Sequence, residues 1–161
     1  MAAANSNTAK RYPLFCRLQQ NVMGVGYIVK VDIQARVTAE IEPDGSAWIF
    51  GVNPGGIAAS GKTLNEAVGD LRNTFSTVLI DMIAESKNDF EAFRALVQGF
   101  VHSTNDSAVS EWNAARQAVR TGRITLDLRK EQGDIKPMVR VTQIKPAPRH
   151  NIVPVDPAIA A

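Results

Sequence analysis

Cysteine is nearly missing from this chain: there is one in 161 residues, Cys16. A disulfide framework is thereby excluded, and the composition fits a reducing compartment, so a cytoplasmic location is expected. Cys16 sits in the stretch YPLFCRL with no histidine or helix start beside it to lower its pKa. It reads as a small core residue and not as a thiol nucleophile. Histidine is almost as scarce. His102 stands alone just past an apolar helical face and His150 lies in the C-terminal tail, so neither has a second ligand at metal spacing and no metal site is expected. There is no Ser-His-Asp set and no carboxylate pair at a motif spacing, and the chain predicts neither a catalytic residue nor a cofactor. No run approaches the roughly 20 apolar residues that span a bilayer. The opening MAAANSNTAKRYP lacks the apolar centre of a signal peptide, so no membrane association is expected. Neither sign of charge dominates: 18 Lys and Arg against 16 Asp and Glu leave +2, too weak a bias to indicate nucleic acid by itself.

What is present is an ordinary folding composition, 45% hydrophobic and 21% charged, in a length that supports one core. Residues 1–11 are small and polar, and the tail 146–161, PAPRHNIVPVDPAIAA, holds four of the eight prolines. Both ends read as disordered, flanking a single domain over 12–145. The first half of that domain reads as strands: LFCRL, VGYIVKVDI, ARVTAEIE and AWIFGV. The turn Pro43-Asp44-Gly45-Ser46 predicts an antiparallel hairpin joining Ile41 to Trp48.

A long helix follows, with Leu64, Ala67, Val68, Leu71, Phe75, Val78, Leu79, Met82 and Ile83 on one face. A second helix is expected from about Asp89, carrying Phe90, Phe93, Leu96, Val97 and Phe100 on one side. A third is expected over Ser107–Thr121, with Val109, Trp112 and Val119 on its apolar side and Gly122 as its stop. RITLDL and MVRVTQI read as two closing strands. Strands, three helices and then strands predict an α+β fold, an antiparallel sheet packed against one long and two shorter helices.

Residues 56–63, GIAASGKT, satisfy the phosphate-loop pattern G-x-x-x-x-G-K-[ST]. On that reading Gly56, Gly61, Lys62 and Thr63 bind a nucleotide, and the chain is a nucleotide-binding enzyme. Such a loop needs a buried parallel strand before it and alternating strands and helices after it, which this order of elements does not supply. The same residues have another use. Thr63-Leu64-Asn65-Glu66 fits a capping box, in which the Thr63 hydroxyl accepts a first-turn amide and Glu66 reaches back.

The segment DGSAWIFGVNPGGIAASGKTLNEAVGDLRNTFSTVLIDMI, about residues 44–86, resembles the N-terminal domain of HicB-type antitoxins. The resemblance lies in a hairpin strand (Trp48 to Val52), the turn Pro54-Gly55, a short strand (Ile57 to Ser60), then Gly61, Thr63 and Glu66-Ala67 opening an amphipathic helix. Lys62 stands where the family often has an acidic residue, and some forty residues of strand character precede the match. The resemblance implies a small α+β domain like a partial ribonuclease H fold without that enzyme's catalytic carboxylates. It implies a protein that binds and neutralises a small mRNA-cleaving toxin, in a family whose members often also repress their own operon. The candidate partner-binding residues are Trp48, Phe50 and Lys62, or a sheet edge, in a homo-oligomer. For a DNA operator the candidate phosphate contacts are Arg116, Arg120 and Arg123, which equally suit the C-terminal end of a helix as cations. A further reading is a structural or assembly protein that has borrowed the domain.

Overall fold

The computed structural model describes residues 8–24, 26–125 and 138–144. In chain order these form β1 (Lys10–Gly24), β2 (Tyr27–Ile41), β3 (Ala47–Asn53), β4 (Ala58–Gly61), α1 (Leu64–Glu85), α2 (Phe90–His102), α3 (Asp106–Arg120) and β5 (Met138–Ile144). The five strands make one antiparallel sheet in the order β1-β2-β3-β4, with β5 also paired to β2. The fold is α+β, as the order of elements predicts.

β1 and β2 are longer than the apolar runs that mark them. The two runs VGYIVKVDI and ARVTAEIE belong to one strand, because alternation carries through Val29, Val31, Ile33, Ala35, Val37 and Ala39, none of them exposed at all. β1 pairs with β2 over its full length, from Lys10 opposite Ile41 to Gly24 opposite Tyr27. Lys10 and Arg11, placed by composition in the N-terminal tail, are therefore strand residues, and Arg11 Nε donates to Glu40 Oε2 across the pair at 2.8 Å. The β2–β3 turn forms as its residues require. Gly45 adopts φ +88°, and Asp44 Oδ1 accepts from the Ser46 amide at 2.9 Å, an arrangement that closes the reversal.

One face of the sheet carries Leu18 and Val22 of β1, the unexposed β2 residues, and Ala47, Ile49 and Ala59. α1 lies against it through Ala67, Leu71, Phe75, Leu79 and Ile83, every three or four residues. α2 adds Phe93, Val97 and Val101. Each of these large side chains contributes roughly 1.5–3 kcal/mol by leaving water. α1 and α2 start as their caps dictate: Thr63 Oγ1 accepts from the Glu66 amide and Asp89 Oδ1 from the Ala92 amide. α3 begins one residue before the expected Ser107, because Asn105 supplies the cap to the amides of Ser107 and Ala108.

α3 packs on the opposite face, where Trp112 meets Phe15 edge-to-face at 5.4 Å. The expected strand RITLDL does not begin at its first residues. The Arg123 and Ile124 amides donate back to Ala118 O and close the end of α3, with Gly122 at φ +72°; Leu126 to Leu128 lie outside the described residues, as do the tails 1–7 and 146–161.

On this second face Asp32 is 5% exposed and is held by Arg17 Nε (3.0 Å), Arg17 Nη2 (2.6 Å) and Gln19 Nε2 (3.0 Å). The Arg17 hydrogen bonds outweigh the opposing effect of burial and bring the Asp32 carboxyl from 3.8 down to about 2. A carboxyl lowered on folding stabilises the folded chain above its unfolded pKa, and that contribution is lost as pH falls through the folded value. Thermal melts between pH 5 and pH 2 are therefore expected to show wild type losing more Tm than Asp32→Asn across the window between about 3.8 and about 2, with the two converging at its lower end.

Candidate functional site

The sheet register builds the partner-binding candidates. Trp48 and Phe50 alternate with buried Ile49, so both project from the second face, where Trp48 stands between Glu40 and Ser60 and Phe50 between Thr38 and Ala58. Their rings lie 6.4 Å apart and 8° from parallel, with exposures of 49% and 43%. The β4 neighbours are a methyl and a hydroxymethyl, too short to cover an aromatic ring. Beside Phe50 opens a cleft of about 320 Å³ whose floor and walls include Gly55, Gly56, Ala58, Asn105 and Glu111. Lys62 is exposed just past β4, at the same end of the sheet as Trp48.

The string GIAASGKT folds as a turn, a strand and a capped helix start. Ala58–Gly61 pairs with Ala47–Phe50. The amides a phosphate would seek are taken by carboxylates of α1: the Ser60 amide donates to Asp70 Oδ2 at 3.1 Å and the Lys62 amide to Glu66 Oε2 at 2.9 Å. Thr63 Oγ1 accepts from the Glu66 amide at 3.2 Å, which completes the capping box and occupies the hydroxyl. Gly61 is glycine for a packing reason, since a Cβ there would stand 2.5 Å from the Ala67 nitrogen. Gly56 has open space around it.

The three arginines separate. Arg116 lies over the Trp112 ring, Cζ 5.6 Å from its centroid. Arg120 is exposed in the last turn of α3, while Arg123 follows the helix and lines a cleft of about 540 Å³ with Lys10, Arg11 and Glu111. His102 is exposed, and burial pushes the Cys16 thiol up, away from the thiolate a nucleophile needs. No group of three His, Cys, Asp or Glu able to hold a metal occurs among the described residues. No helix there is long and apolar enough to cross a membrane.

A cluster that sequence reasoning missed joins the sheet to α3. Arg36 donates Nε to Asn53 Oδ1 at 2.7 Å, gives Nη2 to the same oxygen, and lies over Trp112 with Cζ 5.3 Å from the ring centroid. Burial, reinforced by the nearby Arg116 charge, lowers the Arg36 pKa from its ordinary value. Asn53 is 4% exposed and reaches Arg36 because the β2–β3 register shifts there by one residue. A lone arginine inside an apolar, alternating strand was the only available signal.

No protein-family model, no curated protein and no solved structure matches this chain.

The capping assignment separates the two uses of GIAASGKT. Thr63→Ala is expected to cost about 1 kcal/mol in urea unfolding, the ordinary value of a lost N-cap, whereas exposed Lys62→Ala stays within about 0.5 kcal/mol. Magnesium and ATP at millimolar concentration are expected to leave Tm unchanged; a rise in Tm abolished by Lys62→Ala would restore the phosphate loop.

Proposed function

We propose that this chain is a HicB-like, antitoxin-type protein that binds and neutralises a small mRNA-cleaving partner through the Trp48/Phe50 face. The observation that carries the reading is the pair of near-parallel, half-exposed rings on β3. They stand within the strand, turn, short strand and capped helix whose residues resemble that family. Aromatic side chains of this kind are what protein interfaces concentrate, because each removes a large apolar area from water at little rotamer cost. Among the described residues the adjoining β4 is a four-residue edge strand with small side chains, which leave the rings accessible from that side. The fold fits this role in outline: an antiparallel sheet backed by one long, well-buried helix.

Binding makes no demand on acid–base or metal chemistry, and the face presents none. Glu40, next to Trp48, is paired with Arg11, and the other sheet neighbours of the two rings are Thr38, Ala58 and Ser60.

The test is co-expression with the product of the neighbouring reading frame, followed by size-exclusion chromatography, calorimetry and an mRNA-cleavage assay. A stable complex that suppresses cleavage is expected. Trp48→Ala and Phe50→Ala should each weaken it by about 30-fold, the effect of a hot-spot aromatic worth about 2 kcal/mol, with unchanged circular dichroism because both rings are already half in solvent. A double variant that binds and neutralises like wild type would remove this face from the function.

A further inference from the structure

Among the described residues β1 presents an open edge fifteen residues long. All fifteen of its residues pair with β2, without a break in register, and among the described residues nothing pairs with its other side. Gly24 stands opposite Tyr27, with two residues between them in sequence, and in a two-residue hairpin the pair flanking the loop is of the kind that exchanges both backbone hydrogen bonds. Because such pairs alternate, the odd-numbered residues of β1 direct amide and carbonyl away from β2. Pro13, which has no amide to donate, falls in that outward set, where a proline is tolerated.

Natural edges of this kind are blunted by bulges, short length, proline or charge. Here the continuous register excludes a bulge, and proline occurs only at position 13. The charges of β1 lie in its first half: Lys10 is exposed, while Arg11 pairs with Glu40 and Arg17 with Asp32, both on β2. From Leu18 to Gly24 the edge, LQQNVMG, carries no charge at all. Its centre, Gln19-Gln20-Asn21, consists of amides: Gln19 Nε2 donates to Asp32 and Gln20 Nε2 to the Asn21 backbone carbonyl at 3.3 Å, and each side chain has a second N–H and an oxygen with which to meet another amide.

We propose that β1 pairs antiparallel with β1 of a second copy of this chain, about a two-fold axis at Gln20. That register sets Gln20 opposite Gln20, Gln19 opposite Asn21, Leu18 opposite Val22 and Arg17 opposite Met23. Amides then meet amides on both faces, the buried Leu18 and Val22 continue one core into the next, and about eight new backbone hydrogen bonds form. Centring on Arg17 would oppose like charges. A centre at Leu18 would face Pro13 against Met23 and forfeit a bond, and one at Gln19 would set Leu18 against an amide. The result is a single ten-stranded sheet. It leaves Trp48 and Phe50 on the far side of β2, so dimerisation stands apart from partner binding and either can fail without the other.

Light scattering on the full chain at micromolar concentration is expected to give twice the 17.4 kDa of one chain. Asn21→Pro removes an outward amide as Pro13 does, leaving the β2 ladder intact, and should raise the dimer dissociation constant by about tenfold or more. Cys16→Ser/Gln20→Cys should form an intermolecular disulfide on mild oxidation, since directly opposed Cβ atoms in such a pair lie about 4.5–5.5 Å apart. A monomer at all concentrations overturns the proposal. So does a dimer that ignores Asn21→Pro and does not cross-link at position 20. Should Asn21→Pro unfold the chain, the cross-link decides alone.

Discussion

β2 is paired along both edges: β1 runs beside all fifteen residues on one side, while β5 and then β3 divide the other. β3 too is paired on both sides, but β2 alone among the described strands has three strand partners, and the other elements take their positions from it. Its Val29-to-Ala39 alternation is fully buried under the helices, so a shift of register by one residue would turn six core side chains toward the opposite face. That penalty fixes β1, which must bring Leu18 and Val22 to the same side, and it fixes the β2–β3 hairpin, which must bring Ala47 and Ile49 there. α1 then has one surface to cover, and its five buried residues are spaced to cover it.

The second face obeys different physics. Apolar burial is thin there and polar groups are buried, so position is set by hydrogen bonds. Asp32 is buried because Arg17 and Gln19 satisfy it. Arg36 is part-buried because Asn53 accepts from it and the Trp112 ring lies against its cation. Breaking one partner of such a set leaves the other desolvated, so these clusters tie elements together more tightly than their net energy suggests. The Arg36 cluster links the middle of β2, the end of β3 and the middle of α3. The Trp112 indole N–H finds no acceptor among the described residues, so Trp112 itself is held by ring packing and the two flanking cations.

Periodicity made the first of these layers legible and could not reveal the second. The α1 face, the hairpin at Pro43 to Ser46, the caps at Thr63 and Asp89 and the strand Met138–Ile144 all follow from local pattern, because each is decided by residues within a few positions of one another. The length of β1 was hidden because Gln19, Gln20 and Asn21 dilute its apolar alternation, and Lys10 and Arg11 look like a polar tail until Glu40 stands opposite. The Arg36–Asn53–Trp112 set joins positions 17 and 59 residues apart in sequence, by a bulge that no local signal announces. GIAASGKT shows the converse: a pattern of residue types that the backbone around it reassigns, since Asp70 and Glu66 occupy the amides that the pattern alone would leave for phosphate.

The same constraints explain why Trp48 and Phe50 stay uncovered. α3 is the helix on their face of the sheet, and its start is pinned: the Gly55 amide donates to Ser103 O at 3.0 Å, tying the turn after β3 to the link before α3. A side chain at position 55 would press on that link, with Ser103 O only 3.2 Å from its Cβ, so glycine permits the approach. From this anchor α3 runs across Phe15 and Arg36, toward β1 and away from β4. Phe50 is left at the rim of the cleft beside the first turn of α3, and Trp48, one pleat further along β3, lies beyond it. Exposure of the two rings is therefore a consequence of where Trp112 must sit. Moving α3 to cover them would take the Trp112 ring off the Arg36 cation and leave Asn53 alone to satisfy it in a part-buried site.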